Sequence, residues 1–206
     1  GLEEAEVTHV IRSFTGEYEQ IPPMYSALKV NGRKLYELAR EGKEVERKAR
    51  TVRIYEIGIL EVCLPRVRMR VRCSKGTYIR TLCFDIGKRL GCGGCMEELI
   101  RTQSGRFMIE DSLRLNEIAR MREDESLMRA VIPVDEMFGG YEKAAAGKKW
   151  DALVKNGNPL PREALSCMDN ENPVRVYDES GQFIAVYRWQ KEKKEYHVLK
   201  MFYPML

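Results

Sequence analysis

Apolar residues fall at Val7, Val10, Ile11 and Phe14, the i, i+3, i+4, i+7 spacing of one helix face. The spacing predicts a helix over 3–14, with Gly16 as its stop. Ile21-Pro22-Pro23-Met24-Tyr25-Ser26 reads as a loop held extended by its prolines. A short helix is predicted over 34–41, ended by Gly42. Residues 50–64 are rich in β-branched side chains and read as a strand. Its alternation slips near Glu56-Ile57-Gly58, which predicts a bulge, and Pro65 ends it. From 66 to 73 the alternation is strict. Arg66, Arg68, Arg70 and Arg72 share one face, and Val67, Met69, Val71 and Cys73 share the other, which is taken as the buried one.

Ser74-Lys75-Gly76-Thr77 turns the chain into a helix whose core face is Ile79, Leu82, Cys83, Ile86 and Leu90, stopped by Gly91. A shorter helix is predicted at about 95–102, and a turn or two of helix over 126–131. Composition shifts near Gly139-Gly140, and residues 144–149 read as a junction. Beyond it the pattern is β: Val174–Tyr177, a turn at Asp178-Glu179-Ser180-Gly181, Phe183–Trp189, then Tyr196–Tyr203. Residues 146–206 thus read as a small β domain.

Composition narrows the class without naming it. Hydrophobic residues make up 44% of the 206 positions, enough for a core, and charged residues 32%. No apolar run reaches the roughly 18–20 residues that span a bilayer, and the acidic start Gly1–Glu6 has no signal-peptide pattern, so a cytoplasmic protein is expected. The net charge of +4 permits an RNA partner without requiring one. The six cysteines are expected to be reduced thiols. Cys92 and Cys95 form a CxxC pair, read either as a Gly-rich turn or as half of a metal or redox site; a second CxxC or an HxxxH pair is absent, so no metal is assigned.

Phosphate-binding, dinucleotide-binding, zinc-protease and nucleophile-elbow motifs are all missing. The dense segment is Cys73–Thr81, in which Lys75 and Arg80 flank Tyr78 at a strand-to-helix turn. It reads as a capped helix with exposed charges, or as a site where helix N–H groups and Arg80 hold an anion and Tyr78 faces a base. The arginine stripe 66/68/70/72 is likewise either a solvated face or a track for phosphates.

Several motifs, in order, resemble the tRNA pseudouridine synthase B family. Pro22-Pro23-Met24-Tyr25-Ser26-Ala27-Leu28-Lys29-Val30-Asn31-Gly32 with Leu35–Gly42 is similar to its PPxYSAxKxxGxxxYxxAR signature. Arg72–Thr81 resembles CSxGTYIRT, Leu99-Ile100-Arg101-Thr102-Gln103-Ser104-Gly105 resembles LRRTxSG, and Ile132-Pro133-Val134-Asp135 also fits. The second residue of the LRR triplet is Ile100, and Gly94-Cys95 stands where the family's GAH segment has histidine.

The resemblance implies an α+β chain. Residues 1–143 would be the second half of a pseudouridine synthase fold, a mixed, mostly antiparallel sheet with flanking helices, and 144–206 a small β-rich RNA-binding domain of the PUA type. It implies conversion of the T-loop uridine of tRNA to pseudouridine with no cofactor and no metal, on a flipped-out base. Tyr78, Arg80 and Leu99 match the family's pocket residues, Arg80 being the partner of the catalytic aspartate. Lys29, Lys75 and Arg101 match RNA-binding positions.

The family's aspartate lies in a GxLDPxATG motif that these 206 residues do not contain. Asp85, Asp111, Asp124, Asp135, Asp151, Asp169 and Asp178 all stand in other contexts. The chain is therefore expected to be a fragment that is inactive alone, or an inactive RNA-binding module on the same scaffold; a CxxC redox or metal protein is the third reading. An Arg80 without a carboxylate is expected to be exposed or to meet a partner. An incomplete sheet is expected to leave an edge open to self-association.

Overall fold

A computed structural model of the chain describes residues 1–167 and 172–203. Asp169 lies outside the described residues. The chain divides into two compact units, Gly1–Glu110 and Asp111–Leu206.

In the first unit, α1 (Glu4–Arg12) leads into β1 (Gly16–Gln20), a two-residue hairpin of β2 (Lys29–Val30) and β3 (Arg33–Lys34), and α2 (Leu35–Arg40). Then come the long strands β4 (Arg50–Cys63) and β5 (Arg66–Cys73), the helix α3 (Ile79–Arg89), and a small hairpin of β6 (Gln103–Ser104) and β7 (Phe107–Met108). The main sheet is antiparallel in the order β1-β4-β5. α1 and α3 pack on the sheet through Val7, Ile11, Leu82 and Ile86, which join Phe14, just beyond α1, and Ile54 in a common core. Each such side chain contributes about 1.5–3 kcal/mol by leaving water.

The expected alternation of β5 holds: its arginines are exposed, and Val67, Met69, Val71 and Cys73 turn toward the core. The slip in β4 resolves into two irregularities, in which Tyr55 and Leu60 are the extra residues against Arg72–Cys73 and Arg68–Met69. Both extra side chains are exposed, because an inserted residue falls out of the inward alternation.

The helix predicted at about 95–102 does not form; that stretch is irregular. The chain first crosses α3 at a glycine contact, where a Cβ on Gly87 would lie 2.2 Å from the Gly93 carbonyl carbon, and one on Gly94 would lie 2.7 Å from the Cys83 oxygen. Glu97 is then tied to Arg66 by a bidentate pair, at 2.9 Å on the shorter arm. Leu99 and Ile100 stay exposed, so no buried face stabilises a helix there.

The second unit opens with α4 (Leu115–Glu123), a helix the sequence reading did not assign, capped where Arg114 N–H donates to Glu117 Oε2 at 2.6 Å. The turn expected over 126–131 is a short 3-10 turn at Leu127–Arg129. β8 (Glu142–Ala145), α5 (Asp151–Lys155), β9 (Leu160–Pro161), β10 (Val174–Tyr177), β11 (Phe183–Gln190) and β12 (Glu195–Met201) follow. Their sheet runs β8-β10-β11-β12-β9, with β8 parallel to β10 and the other pairs antiparallel. Residues 144–149, expected to be a junction, instead carry part of β8 and the 3-10 turn Lys148–Trp150, with Ala144 and Ala146 in the core. Ala144 pairs with Val176 where β8 runs parallel beside β10.

β11 is buried on both faces from Ile184 to Tyr187, as its central place in the sheet requires. Asp178 closes the β10–β11 turn by accepting from Gln182 N–H at 2.9 Å and Ser180 Oγ at 2.6 Å. Arg175 is buried yet satisfied, donating Nε to Tyr141 O at 2.9 Å and Nη1 to Asp135 O at 3.3 Å. Tyr177 Oη donates to Asp135 at 2.6 Å, and the Phe138 ring meets those of Phe183 and Phe202 at tilted angles. The Pro133–Tyr141 segment is thereby fastened to this sheet.

Candidate functional site

The turn after β5 is built from small polar residues that bond backbone. Ser74 N–H donates to Arg53 O at 2.8 Å, Ser74 Oγ accepts from Arg53 N–H at 2.9 Å, and Thr77 Oγ1 donates back to Ser74 O at 2.9 Å. Gly76, at φ +87°, supplies the left-handed step. Tyr78 follows in an extended conformation as the residue before α3. Its N–H donates to Gln20 Oε1 at 2.7 Å, and its carbonyl accepts from Gln20 Nε2 at 3.1 Å. Gln20 is buried and also donates to Tyr18 Oη. Burial pushes the Tyr18 phenol up to about 12, against the Gln20 bond.

This anchoring sets the first turn of α3, on which Arg80 is carried outward. The guanidinium is exposed and donates from Nη2 to Tyr25 O at 2.7 Å. Among the described residues no carboxylate pairs with it. The exposed state agrees with the expectation for an arginine lacking its acid partner. Tyr25, a residue to which the sequence reading gave no role, presents an exposed ring on the same proline loop.

Arg80 lies at a groove of about 830 Å³ between that loop and α3. Its lining includes the apolar side chains Phe14, Tyr18, Ile21, Met24 and Phe84. Its rim holds four cations, Arg47, Arg80, Lys88 and Arg89, against two carboxylates, Glu19 and Asp85. Arg47 is pinned to Pro22 O at 3.2 Å, and Arg89 lies over the Phe14 ring at 4.4 Å while bonding Ser13 Oγ at 2.7 Å. Burial raises the Asp85 carboxyl, and Lys88 and Arg89 oppose that.

Tyr78 is half-buried and Leu99 is exposed; neither lines this groove. Lys29 stands exposed on the β2–β3 hairpin, Lys75 in the turn before α3, and Arg101 just before β6. The arginine stripe is largely spent locally. Arg66 pairs with Glu97, Arg68 with Glu61 and Arg72 with Glu56, while Arg70 faces Gly58. Sequence reasoning missed Gln20, although a signal was present: it is a polar residue in the inward register of β1, two positions after Tyr18.

Comparison with known proteins places this geometry. Residues 1–79 match the N-terminal domain of the TruB family of pseudouridylate synthases, and residues 80–139 match the tRNA pseudouridylate synthase B C-terminal domain. The tRNA pseudouridine synthase B of Lachnoclostridium phytofermentans is 47% identical over 205 residues, covering 93% of this chain and 67% of that protein. That of Clostridium novyi is 44% identical over 182 residues, covering 88% and 62%. A solved Cbf5-Nop10-Gar1 complex is similar over 100% of this chain and 65% of the other, with TM-score 0.67 and 26% identity. An H/ACA RNP bound to a substrate RNA containing 2'-deoxyuridine shares the fold at TM-score 0.66 and 23% identity. The chain belongs to the TruB family of pseudouridylate synthases, and its fold is that of a pseudouridine synthase. It spans about two-thirds of the length of these relatives.

Proposed function

We propose that this chain serves the isomerisation of the T-loop uridine of tRNA to pseudouridine, in the cytoplasm, and that residues 1–206 by themselves form none. The observation that carries the reading is Arg80, a guanidinium held by Tyr25 O at 2.7 Å and exposed beside a groove, with no acid paired to it among the described residues. In the family reading that acid is the catalytic aspartate, which starts cleavage of the glycosidic bond of a flipped uridine before C5 rejoins the ribose. Asp85 does not replace it: it lies one turn further along α3, facing Lys88 and Arg89. Tyr78 and Leu99, which lie outside the groove beside Arg80, take the uridine-contacting roles that their family match gives them; Lys29, Lys75 and Arg101 contact the T arm, and residues 144–206 act as a PUA-like RNA-binding domain, with 1–143 as the partial catalytic domain. The reaction needs no cofactor.

β1 and β5 are both edges of the main sheet, so self-association through one of them belongs to this reading. Sedimentation showing a clean monomer at high concentration removes that part.

The test is a pseudouridine assay on a tRNA transcript with the 206-residue chain, beside a tRNA-binding measurement. Binding without turnover is expected. Clear turnover overturns the missing-acid argument, and absence of tRNA binding overturns the RNA reading.

A further inference from the structure

The CxxC pair, Cys92 and Cys95, lies outside the Arg80 groove, and the fold sets it against a third thiol. Cys83 and Gly87 are one turn apart on the same face of α3. The N–H groups of Cys92 and Gly93 both donate to Gly87 O, at 3.2 and 3.0 Å, and pin the chain at the end of the helix. From there it runs back along α3. A Cβ on Gly94 would lie 3.1 Å from Gly87 Cα and 2.7 Å from Cys83 O. Cys95 comes next, so one peptide separates it from a direct backbone contact with Cys83. A disulfide needs Cα atoms within about 7 Å, and this path delivers Cys95 beside Cys83. The electrostatics agree: burial raises the Cys83 thiol, and a Cys95 thiolate raises it further. Cys92 turns elsewhere. Its Sγ donates to Gly93 O at 3.1 Å and reaches Gly87 O at 3.9 Å, at the other end of the crossing.

We propose that Cys83 and Cys95 form a thiol-oxidation site, which a low-molecular-weight disulfide converts to an intrachain disulfide, with Cys92 outside the pair. Cys95 is exposed and Cys83 half-buried, so Cys95 meets the reagent first. Its thiolate attacks one sulfur of the reagent, the reagent S–S bond breaks, and one reagent thiolate leaves. Cys95 then holds the other half as a mixed disulfide. Cys83 releases its proton to solvent and attacks the Cys95 sulfur, expelling the second reagent thiolate. Two protein thiols lose two electrons, and one small disulfide becomes two thiols. The order follows from the environment. A thiol held protonated is a poor first nucleophile. Once Cys95 is capped it carries no charge, so one of the two causes that hold Cys83 protonated is gone. The product ties α3, with Arg80 in its first turn, to the chain that leads to Leu99 and Arg101.

The test incubates the reduced, dilute 206-residue chain with glutathione disulfide, alkylates the remaining thiols and maps peptides without reduction. A peptide linked through Cys83 and Cys95 is expected as the main intrachain product, and Cys92→Ser is expected to form it equally. Cys83→Ser is expected to stop with glutathione on Cys95. Cys95→Ser is expected to lose the link and to leave Cys83 unmodified. Thermal midpoints show which variants fold, and Cys95→Ser, on an exposed side chain, keeps the test open should Cys83→Ser fail to. A main link from Cys95 to Cys92 or to any other cysteine overturns the site. So does a wild-type chain that keeps glutathione on Cys95 or does not react there. Glutathione on Cys83 in Cys95→Ser removes Cys95 as the point of entry and overturns it equally.

Discussion

The carboxamide of Gln20 satisfies both backbone groups of Tyr78, accepting its N–H at 2.7 Å and donating to its carbonyl at 3.1 Å. One side chain at the end of β1 thus does the work of an extra strand residue, and joins the sheet to the start of the helix that carries Arg80.

Replacing Gln20 with Leu keeps the volume and removes both bonds, leaving the Tyr78 N–H without a partner. Stability is expected to fall by about 2 kcal/mol, the usual cost of an unpaired buried donor together with a lost bond. Urea unfolding measures it. A loss within about 0.5 kcal/mol, the range of ordinary surface changes, would mean that water or a neighbour takes over.

At the glycine crossing of α3, Gly87→Ala places a methyl 2.2 Å from the Gly93 carbonyl carbon, backbone against backbone. No side-chain rotation relieves that. A destabilisation of about 3 kcal/mol or more is expected, the upper range for overpacking, with faster proteolysis in 91–95. Gly91→Ala is a poorer comparison because φ +73° strains it; Gly140→Ala, with open space around it, serves as the neutral control.

Asp178 bears on acid stability. Burial pushes its carboxyl up, but Ser180, the Gln182 N–H and Lys155 together outweigh burial and hold it below the ordinary carboxylate value. A depressed folded pKa means that the unfolded chain takes up the proton first. The stabilisation is therefore present at neutral pH and is lost as the pH falls below about 4 and through the folded value. Asp178→Asn is expected to lower the thermal midpoint at pH 7, with the gap to wild type closing in acid. A gap independent of pH would point to shape alone.

The arginine stripe of β5 gives a negative expectation. Arg66, Arg68 and Arg72 are engaged with Glu97, Glu61 and Glu56. Exposed pairs of this kind are worth little to stability, and Arg66→Gln is expected to change stability by no more than about 0.5 kcal/mol and tRNA affinity by no more than about twofold. A larger loss of affinity, with a lower salt slope, would show that the RNA displaces Glu97.

Periodicity made the strong elements legible: α1, α3, β4, β5, β10, β11 and β12 follow from apolar spacing, and the family follows from ordered motifs. The misses have physical causes. Residues 95–102 have helical composition, but the preceding glycines lay the backbone against α3, and Leu99 and Ile100 then find nothing to pack on. Residues 144–146 look like a linker because three alanines carry little hydrophobic signal, yet Ala144 reaches the core from an edge strand paired with β10, and Ala146 from just beyond it. In the candidate site, the motif singled out Arg80. Its anchor on the Tyr25 carbonyl was not legible, since a backbone acceptor leaves no trace in residue identity.

The parallel pairing of β8 with β10 also has a consequence for how the chain is made. Synthesis runs from the N-terminus, and domains fold as they emerge. β8 leaves the ribosome before α5, β9 and the β10 strand it must join, and non-local pairing of this kind is slow. For that interval its backbone groups are exposed to water or to other chains, and a ribosome stalled between Ala145 and Val174 would present an unmatched strand. The short length of β8 and its run of alanines keep that nascent segment weakly adhesive until its partner arrives.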